Sequence, residues 1–106
     1  MNTLTKEGIG LAVKTLRRQA KLTQTGLAEQ AGLTASAISR IELGEAELWF
    51  IDCVAVTKIL KISLEEFVAF AEKLETDEIR KARERLLAQN AQVRLLRQEI
   101  RKRTAG

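Results

Sequence analysis

The chain has 106 residues, 45% of them apolar and 30% charged, with no histidine, no proline and one cysteine. That length fits one domain with at most an appendage. Without histidine the chain lacks the commonest general base, the commonest metal ligand and the usual pH switch. A Ser-His or Cys-His nucleophile is excluded within one chain, a metal site would need carboxylates alone, and no pattern calls for a cofactor. The expectation is a protein that is not an enzyme.

No apolar run is long enough to cross a membrane, and Met1 to Val13, with Lys6, Glu7 and two glycines, does not read as a signal peptide. A lone cysteine cannot form an intrachain disulfide, which fits a reducing cytoplasm. The net charge of +4 is unevenly spread. Residues 1–75 carry nine Lys/Arg against ten Asp/Glu, a net −1, whereas residues 76–106 carry nine against four, a net +5. The basicity belongs to the tail and says nothing about residues before it.

In chain order, helical spacing predicts a first helix from about Gly8 to Gln19, with Ile9, Val13, Leu16 and Ala20 on one stripe. Thr23 is a good N-cap for a second helix, about Gln24 to Ala31, whose apolar face is Leu27, Ala28 and Ala31. Gly32 stands where a helix C-terminus needs positive φ. Thr34 caps a third helix, about Ala35 to Leu43, with Ile38 and Ile41 inward, and Gly44 ends it. Two helices crossing steeply over so short a turn must touch, and at Ala28 only a small side chain fits.

A fourth helix follows from about Trp49 to Leu60. Phe50, Cys53, Val54, Thr57 and Leu60 form its expected core stripe, with Cys53 a plain core residue. Trp49, Ile51, Ala55, Val56 and Ile59 add apolar surface around the rest, so a second partner is expected there. Ser63-Leu64-Glu65-Glu66 is a capping box opening a fifth helix with Phe67, Phe70, Ala71 and Leu74 on its apolar face. Thr76-Asp77-Glu78 reads as the start of a further helix reaching about Arg103. Along it Ile79, Leu86, Val93 and Ile100 recur every seven residues, and Ala82, Gln89 and Leu96 fall three further on, a heptad seam broken at Gln89 and Arg103. Fewer than four heptads make a marginal two-stranded coil, and packing on the spare face of the fourth helix would support it.

Gln24, Leu27, Ala28, Gly32, Leu33, Ile38 and the tetrad Ser39-Arg40-Ile41-Glu42 resemble the helix-turn-helix of the Cro/cI-like (XRE) phage-repressor family. The resemblance runs without gaps from about Ile9 to Phe67 and includes Val13, Leu16, Arg17, Gly44, Leu60, Ser63 and Leu64. It implies an all-α fold with a five-helix lambda-repressor-like DNA-binding domain over residues 1–75; residues 76–106, beyond the resemblance, are read from their heptads and charge as a basic C-terminal helix that dimerises. It also implies that Arg17 pairs with Glu42, because a guanidinium can hold a carboxylate bidentately across two helix ends.

In this family the second helix of the motif lies in the major groove. Carried over by position, Ala35, Ser36, Ser39 and Arg40 become the base-reading candidates, and Arg40 the strongest of them. Gln24, Thr25 and Thr34, with Arg18 and Lys21 more weakly, become the phosphate-positioning ones. Trp49, Ile51, Ala55, Ile59, Ile79, Leu86, Val93, Leu96 and Ile100 are the expected dimerisation surface. The implied protein is a transcriptional regulator, in the first instance a repressor, that binds a palindromic operator in double-stranded DNA as a homodimer. Glu45, Glu47, Leu48 and Trp49 depart from the basic or polar residues and the proline usual there, which weakens backbone contact at that edge.

Two other readings stay open. In one, the chain is an antitoxin-like or adaptor module that caps another protein through its fourth helix and tail. In the other, the tail's arginines and lysines track phosphates, a role that a merely solvated basic face does not need.

Overall fold

The structure, a computed structural model, describes residues 4–104. Five helices follow one another: α1 (Lys6–Gln19), α2 (Gln24–Ala31), α3 (Ala35–Glu42), α4 (Phe50–Ile59) and α5 (Leu64–Thr104). No described helix is long and apolar enough to cross a membrane.

Threonines start the first three helices. Thr5, Thr23 and Thr34, all in extended backbone, accept hydrogen bonds from the amides of Gly8, Gly26 and Ala37 at 2.9–3.0 Å. α1 therefore begins two residues before the predicted Gly8. The Thr5 hydroxyl also donates to Glu75 Oε2 at 2.8 Å, which ties the start of α1 to α5. At Ser63 half of the expected box forms: the hydroxyl accepts from the Glu66 amide (3.1 Å), and it donates to the Glu66 carboxylate (3.0 Å) in place of the Ser63 backbone N–H.

Helix ends follow one recipe. After α3, the amides of Gly44 and Glu45 bond back to the carbonyls of Ile41 and Arg40 (3.0 and 2.9 Å), with Gly44 at φ 74°. The same pair of bonds closes α1 and α4, but there the left-handed position is held by Lys21 (φ 59°) and Lys61 (φ 57°). A side chain in that region is strained, so these stops carry no glycine signal in the sequence.

Every helix contributes to one core: Ala12 and Val13, Leu27 and Ala28, Ile38 and Ile41, Val56, and Phe67 with Ala71 are all buried. Ile9, Leu16, Phe70 and Leu74 pack against them, whereas Ala20, expected on the α1 stripe, is exposed at the helix end. Gly10 lets α1 lie directly on the end of α3, because a Cβ there would overlap the carbonyl oxygen of Ile41.

α4 corrects the sequence reading. Its core stripe is Cys53, Val56, Thr57 and Leu60, not one beginning at Phe50, which is 69% exposed. Val56 was expected on the outer side and is fully buried; Ile59 also packs on the core. The helix is apolar nearly all round, so the pattern could not fix its rotation; Val56 stands in the stripe in place of Phe50 and Val54, of which Val54 is only half-buried and lies outside the core. What remains outside is the first turn, with Trp49 72% and Ile51 80% exposed.

α5 corrects it again, because no second helix starts at Thr76. The Thr76 hydroxyl bonds to the Glu72 carbonyl (3.1 Å) within the helix rather than capping a new one. No glycine or proline occurs between Ser63 and Thr104 to end it. By internal packing the chain divides into two units, Met1–Thr76 and Asp77–Gly106. Within the second unit Ile79, Leu86, Leu87, Val93, Leu95, Leu96 and Ile100 are all exposed.

Gly10→Ala is expected to lower the unfolding free energy by about 1–3 kcal/mol through overpacking. Lys61→Gly is expected to raise it by about 1 kcal/mol by relieving the left-handed strain. Urea denaturation measures both; an unchanged midpoint for Gly10→Ala would show that α1 can move off α3 freely.

Candidate nucleic-acid interface

Glu42, at the end of α3, is the anchor of the site. Its carboxylate accepts from Arg17 Nε (2.7 Å) and Nη2 (3.0 Å), a two-point pair across α1 and α3. A third bond comes from the side-chain amide of Gln24 at the start of α2 (3.1 Å), and Arg17 Nη1 donates to the Leu22 carbonyl (2.8 Å). Both charged side chains are buried. The pairing implied by the resemblance is therefore present, with Gln24 added to it.

The hydrogen bond from Glu42 pushes the Arg17 guanidinium further above its already high range, against the opposing effect of burial. A raised pKa on a base keeps its stabilisation at every pH below the unfolded value, so the guanidinium's contribution is lost only in extreme alkali. One amide hydrogen of Gln24 is committed to Glu42, which fixes the side chain at the helix start.

With Ile38, Ile41 and Glu42 turned inward, the opposite side of α3 faces out. Ser36, Ser39 and Arg40 stand at i, i+3 and i+4 on it; Ser36 and Arg40 are exposed, and Ala35 and Ser39 are half-buried. Thr34 is exposed and its oxygen already caps α3. Thr25, Arg18 and Lys21 are exposed as well. Leu43, counted from the sequence only as the helix end, is 66% exposed and lies one further step along the Ser36–Arg40 face. Its position seven residues after Ser36 was the available signal.

The expected dimerisation residues of α4 do not form one free face. Trp49 and Ile51 are exposed, Ala55 is half-buried and Ile59 packs on the core. Beside them lies an apolar hollow of about 350 Å³ lined by Leu4, Ile9, Leu48, Phe50, Cys53 and Phe67, among others. Burial pushes the Cys53 thiol above its usual range, which suits a packing role rather than a reactive one.

Two short helices over a tight turn, with the second held by an ion pair and its polar side bare, define a helix-turn-helix protein. The helix-turn-helix family model matches residues 13–67, just over half the chain, and the chain belongs to that family, the Cro/cI-like (XRE) regulators. Its biochemical class is accordingly a DNA-binding transcriptional regulator. Among solved structures, the clp gene regulator ClgR from Corynebacterium glutamicum is similar in fold, with a TM-score of 0.71 and 21% identity over 85% of this chain and 97% of that one. No curated protein matches the sequence.

Glu42→Ala is expected to cost about 3–5 kcal/mol, because it strands a buried guanidinium. The double substitution Arg17→Met with Glu42→Leu is expected to regain most of that loss in chemical denaturation. Native Cys53 should react with an aromatic disulfide more slowly than an unfolded thiol at neutral pH, its rate climbing only at more alkaline pH; a stopped-flow disulfide-exchange assay reads this directly.

Proposed function

We propose that this protein is a repressor that binds a palindromic operator as a homodimer and works by occupying promoter DNA. The outward polar face of α3 carries this reading: an exposed Ser36-Arg40 pair beside Ser39, on a helix anchored from behind by Arg17 and Glu42. In the proposed complex Arg40 takes a guanine edge bidentately, Ser36 and Ser39 hydrogen-bond neighbouring bases, and Ala35 meets a thymine methyl. Gln24, Thr25 and Thr34, with Arg18 and Lys21 at the margin, position the domain on phosphates.

The unit that holds α3 is slightly acidic overall, so non-specific attraction to DNA is weak and one copy makes too few contacts. Pairing doubles them and sets recognition helices about one helical turn apart, roughly 34–36 Å. The exposed seam Ile79, Leu86, Val93, Leu96 and Ile100 is the proposed pairing surface, with Trp49, Ile51 and Ala55 as a secondary one; Ile59 serves the core. The reading carries with it a cytoplasmic location, which the lone cysteine, unable to form an intrachain disulfide, fits.

The exposed Trp49, Phe50 and Ile51 favour one rival, an adaptor whose apolar α4 turn caps a different protein. Light scattering separates the two: a stable dimer supports the repressor, and a monomer that sequesters a second protein supports the adaptor.

Selection from a random duplex pool is expected to return a symmetric consensus. Arg40→Ala should lower affinity for that sequence by about 1–3 kcal/mol per half-site while leaving the thermal midpoint unchanged. An asymmetric consensus, or unaltered affinity in the variant, would count against the proposal.

A further inference from the structure

We propose that the second unit pairs with a second copy of this chain as a parallel, in-register, two-stranded coil whose orientation is set by Gln89. The inference rests on the homodimer reading above and adds its geometry. Ile79, Leu86, Val93 and Ile100 occupy the a positions of the seam, and Ala82, Gln89, Leu96 and the terminal Arg103 the d positions. Three of the four a residues are β-branched, and that choice at a, combined with leucine at d as at Leu96, favours two parallel strands. The apolar members of the seam other than Ala82 are exposed in the single chain, from 44% at Val93 to 61% at Ile100, and Gln89 is exposed beside them.

Gln89 decides between orientations. In a parallel pair in register it meets Gln89 of the second copy, and two amides can each donate to and accept from the other. In any antiparallel arrangement a d residue faces an a residue, and all four a residues are apolar. Gln89 would then be buried against Ile, Leu or Val with its hydrogen bonds unmade, on both strands. The antiparallel form offers Arg85 beside Glu99 of the second copy in return, an exposed ion pair of little weight. The parallel form sets Arg85 beside Asn90 and Arg97 beside Gln92, with no like charges opposed at these flanking positions; only at the last d position does Arg103 meet Arg103 of the second copy, where both side chains are exposed and can splay into water. One polar layer that satisfies itself outweighs a surface ion pair gained by orphaning two amides.

The test uses the full chain carrying Leu96→Cys, with Cys53→Ala and again with Cys53 retained, under mild oxidation and with parallel sedimentation. At Leu96 a parallel register brings the two cysteines within disulfide reach, so Leu96→Cys alone is expected to form a covalent dimer. An antiparallel pair would leave Leu96→Cys unlinked to itself and linked to Leu86→Cys or Ile79→Cys chains when mixed, overturning the proposal. A sedimenting dimer that links in neither experiment would place pairing on another surface, which overturns this inference and leaves the homodimer standing. A monomer at tens of micromolar would remove the homodimer itself. Gln89→Leu is expected to broaden the single dimer species into mixed or larger assemblies; if it stays one dimer with unchanged linking, Gln89 does not set the orientation.

Discussion

The carboxylate of Glu42 is where α1, α2 and α3 are tied together. Arg17 reaches it from α1 with two nitrogens and Gln24 from α2 with one, while the third arm of Arg17 holds the Leu22 carbonyl at the end of the α1–α2 turn. Burying both charges costs desolvation free energy, and the geometry offsets it by leaving no buried side-chain polar atom unpartnered among the described residues. Apolar residues could fill the same space, but they would not dictate an angle. A two-point ion pair does, and the angle it sets leaves one side of α3 bare.

That constraint explains the division of labour along α3. Eight residues cannot both bury a wide apolar face and offer a wide polar one. Ile38 and Ile41 supply the apolar anchorage, Glu42 supplies the directional one, and Ser36, Ser39 and Arg40 are left over for another molecule. Gly10 contributes from the other side, since the close approach of α1 to Ile41 is what brings Arg17 within reach of Glu42. Charge is divided as well, with the motif on a slightly acidic unit and the net positive charge on the other. Specific contacts and pairing, rather than bulk attraction to phosphate, have to supply selectivity in such a chain.

Much of the motif was legible in the sequence because its signals are local. Thr23, Thr34 and Gly32 act within one helical turn, so spacing alone places α2 and α3, and the Ser63 box opens α5 where expected. Four features were not legible, each for a physical reason. Lys21 and Lys61 end helices in a conformation that the sequence marks only when glycine is present. Thr76 has the composition of a cap, but its hydroxyl found a carbonyl one turn back. α4 is apolar nearly all round, which hid the exchange of Phe50 for Val56 in its core face. Gln24 looked like a group left for DNA, and its part in holding Glu42 depends on an angle between helices that spacing does not encode.

The most direct measurement is amide chemical-shift mapping of the labelled full chain with and without a duplex selected from a random pool. Groove insertion of α3 predicts the largest changes over Thr34–Arg40 and at Gln24 and Thr25, with α4's first turn quiet. Shifts confined to Trp49–Ile51 or to the tail, with α3 silent at saturating duplex, would contradict it.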